Sequence, residues 1–121
     1  MESLDIIKIA ANALNEKKAK ELKAVKVGDL TVLCEYFLMC TASSSTQIRA
    51  FCDEVEEKLE EAGVTPHHIE GRATGWIVLD YGSVLVHIFG KNEREFYGLE
   101  KMWSDGEEID LSEILINPAE E

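Results

Sequence analysis

The sequence predicts an α/β protein: a single mixed β-sheet with flanking helices, in the order α-β-β-α-β-β-β-α. Three observations carry this. Apolar residues recur at helical spacing in two separated stretches, 3–23 and 47–62. Short apolar runs with strand character lie between and after them, bounded by Gly, Asp and Ser. Helices and strands interleave over 121 residues, a length that suits one domain with a real core.

Leu4, Ile7, Ala11 and Leu14, flanked by Ile6 and Ala10, form one apolar stripe. They predict an amphipathic helix over 3–23 with Ser3 as its N-cap. Ala24-Val25-Lys26-Val27 alternates and predicts a strand ended by Gly28-Asp29. Tyr36-Phe37-Leu38-Met39-Cys40 is continuously apolar, the pattern of a central strand buried on both faces. The polar run Thr41 to Thr46 leads into a second helix, Gln47 to Ala62, where Ile48, Phe51, Cys52, Val55 and Leu59 share a face. Gly63 is its stop signal, and Asp53, Glu54, Glu56, Glu57, Glu60 and Glu61 form its solvated side.

Three strands follow, His67 to Glu70, Trp76 to Leu79 and Val84 to Phe89. The last two are joined by Asp80-Tyr81-Gly82-Ser83 and should pair antiparallel. Glu93 to Trp103 predicts a final helix, with Phe96, Leu99, Glu100 and Trp103 near one side. With no repeat and no long linker, the domain is expected to span residues 1–104. Residues 105–121 carry seven acids and no base, which predicts a mobile, solvated acidic C-terminal tail.

Composition narrows the function. The net charge of −12 opposes nonspecific binding to nucleic acid, where affinity comes from Lys and Arg on phosphates. It favours capture by basic surfaces. No apolar run reaches the roughly 18–20 residues of a membrane span. The N-terminus, with acids near its start, resembles neither a signal nor a transit peptide, so a cytoplasmic location is expected. Cys34, Cys40 and Cys52 form no CxxC pair and read as reduced, buried thiols.

Catalytic constellations are missing from the pattern. His67 and His68 are adjacent on a strand and point to opposite faces, which disfavours chelation of one metal. His87 alternates with Leu85 and Phe89 and reads as a sheet histidine. Ser43 to Ser45, His87 and Asp80 have no GxSxG elbow among them. No GxGxxG or GxxxxGK[ST] is present, and the Thr41–Thr46 loop reads as an ordinary helix start. No catalytic residue, metal or cofactor is therefore expected.

Trp76-Ile77-Val78-Leu79-Asp80 stands apart. Trp76, Val78 and Asp80 share one face of the strand; Ile77, Leu79 and Tyr81 share the other. Periodicity alone leaves Trp76 as either a core residue or an interface anchor, the role Trp and Tyr dominate in binding hot spots.

These residues carry a resemblance to the ribosomal silencing factor, or Iojap, family. The matching stretches are Tyr36-Phe37-Leu38-Met39-Cys40-Thr41, Ser44, Arg49-Ala50, Glu54 to Leu59 and Gly63. The strongest are Glu70-Gly71, Gly75 to Gly82, Val84 to Phe89, Arg94, Tyr97, Leu99-Glu100 and Trp103. The similarity covers roughly residues 3–104, and the sequence departs at Ala42, where the family often has Gly.

The resemblance implies a nucleotidyltransferase-like fold without catalytic residues. It implies binding to the large ribosomal subunit through its basic fourteenth protein. That would block joining of the small subunit and repress translation, with a homodimer as the free form. The expected contact residues are Trp76, Asp80 and Tyr81, with Leu79, Glu70 and Ser83 near the same hairpin. Two other classes remain open at this point. One is an acidic adaptor for a nonribosomal basic partner. The other is a nucleotidyltransferase-type enzyme, which lacks here the Gly-Ser and paired metal-binding aspartates it would need.

Overall fold

The computed structural model describes residues 2–30, 34–71 and 75–116. Helix α1 (Ser3–Glu16) precedes strands β1 (Lys20–Lys26) and β2 (Tyr36–Ala42), then helix α2 (Ser45–Glu61). Strands β3 (His68–Glu70), β4 (Trp76–Asp80) and β5 (Val84–Gly90) follow. Two short helices, α3 (Lys91–Tyr97) and α4 (Leu99–Met102), lead to β6 (Glu107–Ile109) and a 3-10 turn at Leu111–Glu113.

One six-stranded mixed sheet results, in the order β3-β4-β5-β2-β1-β6. β2 and β5 are parallel at its centre; the other neighbours are antiparallel. The α/β class and single mixed sheet are those the sequence predicts. All seven residues of β2 are buried, as its unbroken apolar run requires.

The sheet has two unlike faces. Ile6, Ile7, Ala10 and Leu14 of α1 and Ile48, Phe51, Val55 and Leu59 of α2 pack on one of them. They meet Leu38, Cys40, Ile77, Leu79, Val86 and Ile88, all fully buried. Each large side chain so removed from water contributes roughly 1.5–3 kcal/mol. The other face has a smaller cluster, Val25, Val27, Cys34, Phe37, Met39 and Phe89, partly roofed by Leu99 and Trp103. Helices therefore cover one face fully and the other only in part.

Several boundaries differ from the sequence expectation. α1 ends at Glu16, not residue 23, and β1 begins at Lys20, not Ala24. Lys18 closes the helix in the left-handed region at φ 63°, a position glycine usually fills, so no stop signal stands in the sequence. The N-cap is Glu2, whose N–H donates to Asp5 Oδ2 at 3.0 Å. Ser3, the expected cap, is the first helical residue and donates to Glu35 Oε1 at 3.1 Å.

α2 starts two residues early. Ser44 Oγ accepts from Gln47 N–H at 3.1 Å, and Gln47 Oε1 accepts from Ser43 N–H at 2.7 Å. Ser44 is thus the N-cap, and Gln47 reaches back to the N–H of the residue before the cap, so the serine loop is spent on starting the helix. The expected single last helix is split, because Gly98 takes φ 57° and ends α3.

The acidic segment also departs from a solvated tail. β6 pairs with Ala24–Lys26 of β1. Ile109, Leu111, Ile114 and Leu115 pack against the helix-side core. Asn12 of α1 pins the segment with both ends of its amide: Nδ2 donates to Ile114 O at 3.2 Å and Oδ1 accepts from Ile116 N–H at 2.7 Å. Apolar residues spaced among the acids supply this packing; the charge count hides them. Residues 117–121 lie outside the described residues.

Candidate partner-binding face

β4 is built by alternation. Ile77 and Leu79 are fully buried, while Trp76, Val78 and Asp80 are half-buried on the opposite side. Register then decides what stands beside them. Trp76 lies opposite Phe89, Val78 opposite His87 and Asp80 opposite Leu85. On the outer side, His68 lies opposite Asp80 and Glu70 opposite Val78. Side chains that pair across strands share a face, so His68, Glu70, Trp76, Val78, Asp80, Leu85 and His87 all belong to the partly covered side.

Trp76 sits at the edge of the roof. Its ring stacks on Phe89 with centroids 5.0 Å apart and leans on Tyr97 of α3 at 4.7 Å. Its Nε1–H donates to His87 Nδ1 at 3.1 Å. His87 is only 4% exposed, and its Nε2 meets no hydrogen-bond partner among the described residues. Burial pushes its pKa down to about 3, so the imidazole is neutral at physiological pH. With Nδ1 accepting from Trp76, the ring proton belongs on Nε2.

Asp80 ends the strand and shapes the turn. Its Oδ1 accepts from Gly82 N–H at 2.8 Å, and Tyr81 N–H closes on Val84 O at 2.9 Å. Gly82 takes φ 83°, which a Cβ would resist. The Asp80 charge, after burial itself, helps raise the Cys34 thiol to about 11. Beside Asp80 a dent of about 220 Å³ opens, lined by His68, Glu70, Val78, Asp80 and Leu85.

The six residues expected from sequence divide. Trp76, Asp80 and Glu70 share the partly covered face. Ser83 is half-buried in the adjoining turn, and its carbonyl accepts from Glu35 and Tyr36 N–H at 2.8 and 3.1 Å. Leu79 and Tyr81 do not join them. Leu79 is fully buried and Tyr81 is 5% exposed, both packed under α1 and α2. Alternation puts them there, and closeness along the chain does not move them to the other face. Burial, helped by the charges of Glu56 and Cys52, raises the Tyr81 pKa above its ordinary value.

Sequence reasoning missed His68, Leu85 and Tyr97 as neighbours of this face. His68 was legible from its i, i+2 spacing to Glu70 on a strand. Leu85 and Tyr97 depend on hairpin register and on the break at Gly98, which the sequence pattern leaves undefined. The residues weighed for hydrolysis each have a structural use: Ser44 caps α2, Asp80 holds the turn and His87 receives Trp76. At the ends of β2 and β5, a cavity of about 290 Å³ is lined by Ser43 to Ser45, Gly75 and Gly90 to Glu93. The Glu93 carboxylate lies against Gly75 and Gly90 there, which disfavours a phosphate.

Comparison with known proteins agrees with this architecture. The family described as "Ribosomal silencing factor during starvation" matches residues 1–121. The ribosomal silencing factor of Bacillus subtilis (strain 168) is 36% identical over 112 residues, covering 92% of this chain and 95% of the relative. That of Halalkalibacterium halodurans is 31% identical over 116 residues, covering 95% and 99%. The chloroplastic protein Iojap of Zea mays is 30% identical over 110 residues, covering 91% of this chain and 48% of the longer plant protein. A crystal structure of a Chromobacterium violaceum protein superposes with a TM-score of 0.83 at 30% identity, covering 98% of this chain and 92% of that one. One from Bacillus halodurans gives 0.79 at 31%, covering 90% and 100%. Matched along its whole length and built on the same sheet, this chain belongs to the ribosomal silencing factor family.

Proposed function

We propose that this protein binds the large ribosomal subunit through its basic fourteenth protein. By standing on the face that meets the small subunit, it blocks joining and lowers translation. It does so by steric exclusion, without chemical turnover, in the cytoplasm; the free form is a homodimer that has little affinity for nucleic acid. The observation that carries the reading is the half-open sheet face, which Trp76 shares with Asp80 and Glu70 on a chain of net charge −12. An aromatic anchor with acids at its side suits a basic protein surface.

Order of addition tests it. Protein added to large subunits before small subunits should suppress joined ribosomes; protein added after joining should do far less. Equal potency in both orders would sink steric exclusion. Asp80→Ala should weaken cosedimentation with large subunits by roughly thirtyfold, the effect of a loss of about 2 kcal/mol at a hot spot. Circular dichroism of the same variant should show the fold retained.

A further inference from the structure

The dent beside Asp80 is the most specific feature of the open face. Its floor is Val78 and Leu85, both half-buried and apolar. Its walls are Glu70 and Asp80, on neighbouring strands and offset by two residues. Such diagonal neighbours lie roughly 7–8 Å apart at Cα, wide enough for a cationic head to sit between two carboxylates. Among the described residues neither acid is in an ion pair, although Lys23, Lys58 and Arg94 all find acids elsewhere. The bond from Gly82 N–H fixes the Asp80 carboxylate, so the wall is set before any ligand arrives. Among the described residues His68 is the one basic-type side chain lining the dent, and it lies directly opposite Asp80.

Size excludes other occupants. At about 220 Å³ the dent is smaller than the roughly 300–1,000 Å³ of sites for cofactors and drug-sized ligands. It has room for one long side chain. Lysine and arginine bury an aliphatic stem on apolar surface while their charged heads remain among polar groups. Arginine adds a planar head that can reach two carboxylates at once.

We propose that this dent is the receptor for a single arginine or lysine side chain of the protein partner, its stem on Val78 and Leu85 and its head between Glu70 and Asp80. This rests on the reading of the face as a contact for a basic protein and names the side chain that reads it. Trp76 then acts as an apolar anchor alongside, and the dent sets register and selects for a cation.

The test uses the whole chain and a defined probe. Nα-acetyl-arginine amide, Nα-acetyl-lysine amide and, as control, Nα-acetyl-glutamine amide are titrated at constant ionic strength while backbone amide resonances are followed. The two cationic probes should shift residues 68–70, 78–80 and 85, and the control should not. The double variant Glu70→Gln/Asp80→Asn should abolish these shifts; Asn keeps an oxygen for Gly82 N–H, and thermal unfolding checks that the fold is retained. Shifts that are absent, scattered, or equal for the glutamine probe overturn the proposal.

Cosedimentation with large subunits separates this from the parent reading. If the double variant pellets as well as the wild type, the dent is not the receptor, while the face can still be the contact. At least a tenfold loss supports the dent. If the wild-type chain itself fails to bind large subunits, the parent reading falls, and the titration alone decides what the dent accepts.

Discussion

Trp76 is held by stacking on Phe89 and by its hydrogen bond to His87, and the two can be separated by mutation. Trp76→Phe keeps an aromatic ring over Phe89 but leaves His87 Nδ1 without its donor. An orphaned buried acceptor costs about 1–3 kcal/mol, so urea unfolding should show a loss of that size. His87 also links stability to pH. The folded pKa is about 3 against an ordinary value of 6.5, so below pH 6.5 the unfolded chain binds a proton that the folded chain refuses. Stability should fall as the pH drops from about 6.5 toward about 3, at up to about 1.4 kcal/mol per pH unit, and this contribution vanishes above that window. His87→Gln should flatten the curve between pH 7 and 5.5; an unaltered slope in that variant would assign the effect to another group. At this scale the sequence was readable where alternation rules. It separates Trp76 and Asp80 from Leu79 and Tyr81, although only neighbouring strands and helices show which face is open.

The pair of helices α3 and α4 is fastened by one buried cation. Arg94 Nε donates to Glu100 Oε1 at 2.6 Å, and Nη1 donates to Glu21 O at 2.6 Å and to Thr41 Oγ1 at 3.0 Å. One guanidinium thus ties α3 to α4, β1 and β2, and this connection carries Tyr97 to Trp76. Arg94→Met should destabilise by about 3 kcal/mol, the low end for breaking a buried pair, since Lys23 still reaches Glu100. Indole fluorescence should change together with the unfolding midpoint as Tyr97 loses its seat. The hydrogen bond from Arg94 holds the Glu100 pKa below 4.5, so this pairing stabilises above that pH and is lost as the pH falls further. Gly98→Ala should cost about 1 kcal/mol, because alanine resists φ 57°. None of this clamp was legible in the sequence. Glu21 takes φ 51° at a bulge between Lys20 and Lys23, where the local residues favour a helix and pairing with β2 overrides them.

For the molecule as a whole, charge and sheet edges matter more than any one contact. A net charge of −12 should speed encounter with a basic partner, so the association rate should fall as salt shortens the Debye length to about 8 Å at physiological strength. Stopped-flow association at rising salt would show it; a salt-independent rate would remove long-range steering. The class, the central place of β2 and the β4–β5 hairpin were readable from the apolar pattern, but the parallel pairing of β2 with β5 was not, and neither was β6, because three residues among seven acids carry almost no periodic signal. That short strand has a further consequence. Both outermost strands, β3 and β6, have only three residues, and β6 presents Glu107 and Glu108. Edges so short and so charged offer a poor template for another strand, which stops the sheet from growing into a polymer. A chain cut after Ser104 would uncover seven-residue β1 as a bare edge. It should scatter light and bind thioflavin T at concentrations where the full chain stays clear, and a clear solution of the cut chain would show that β1 needs no guard.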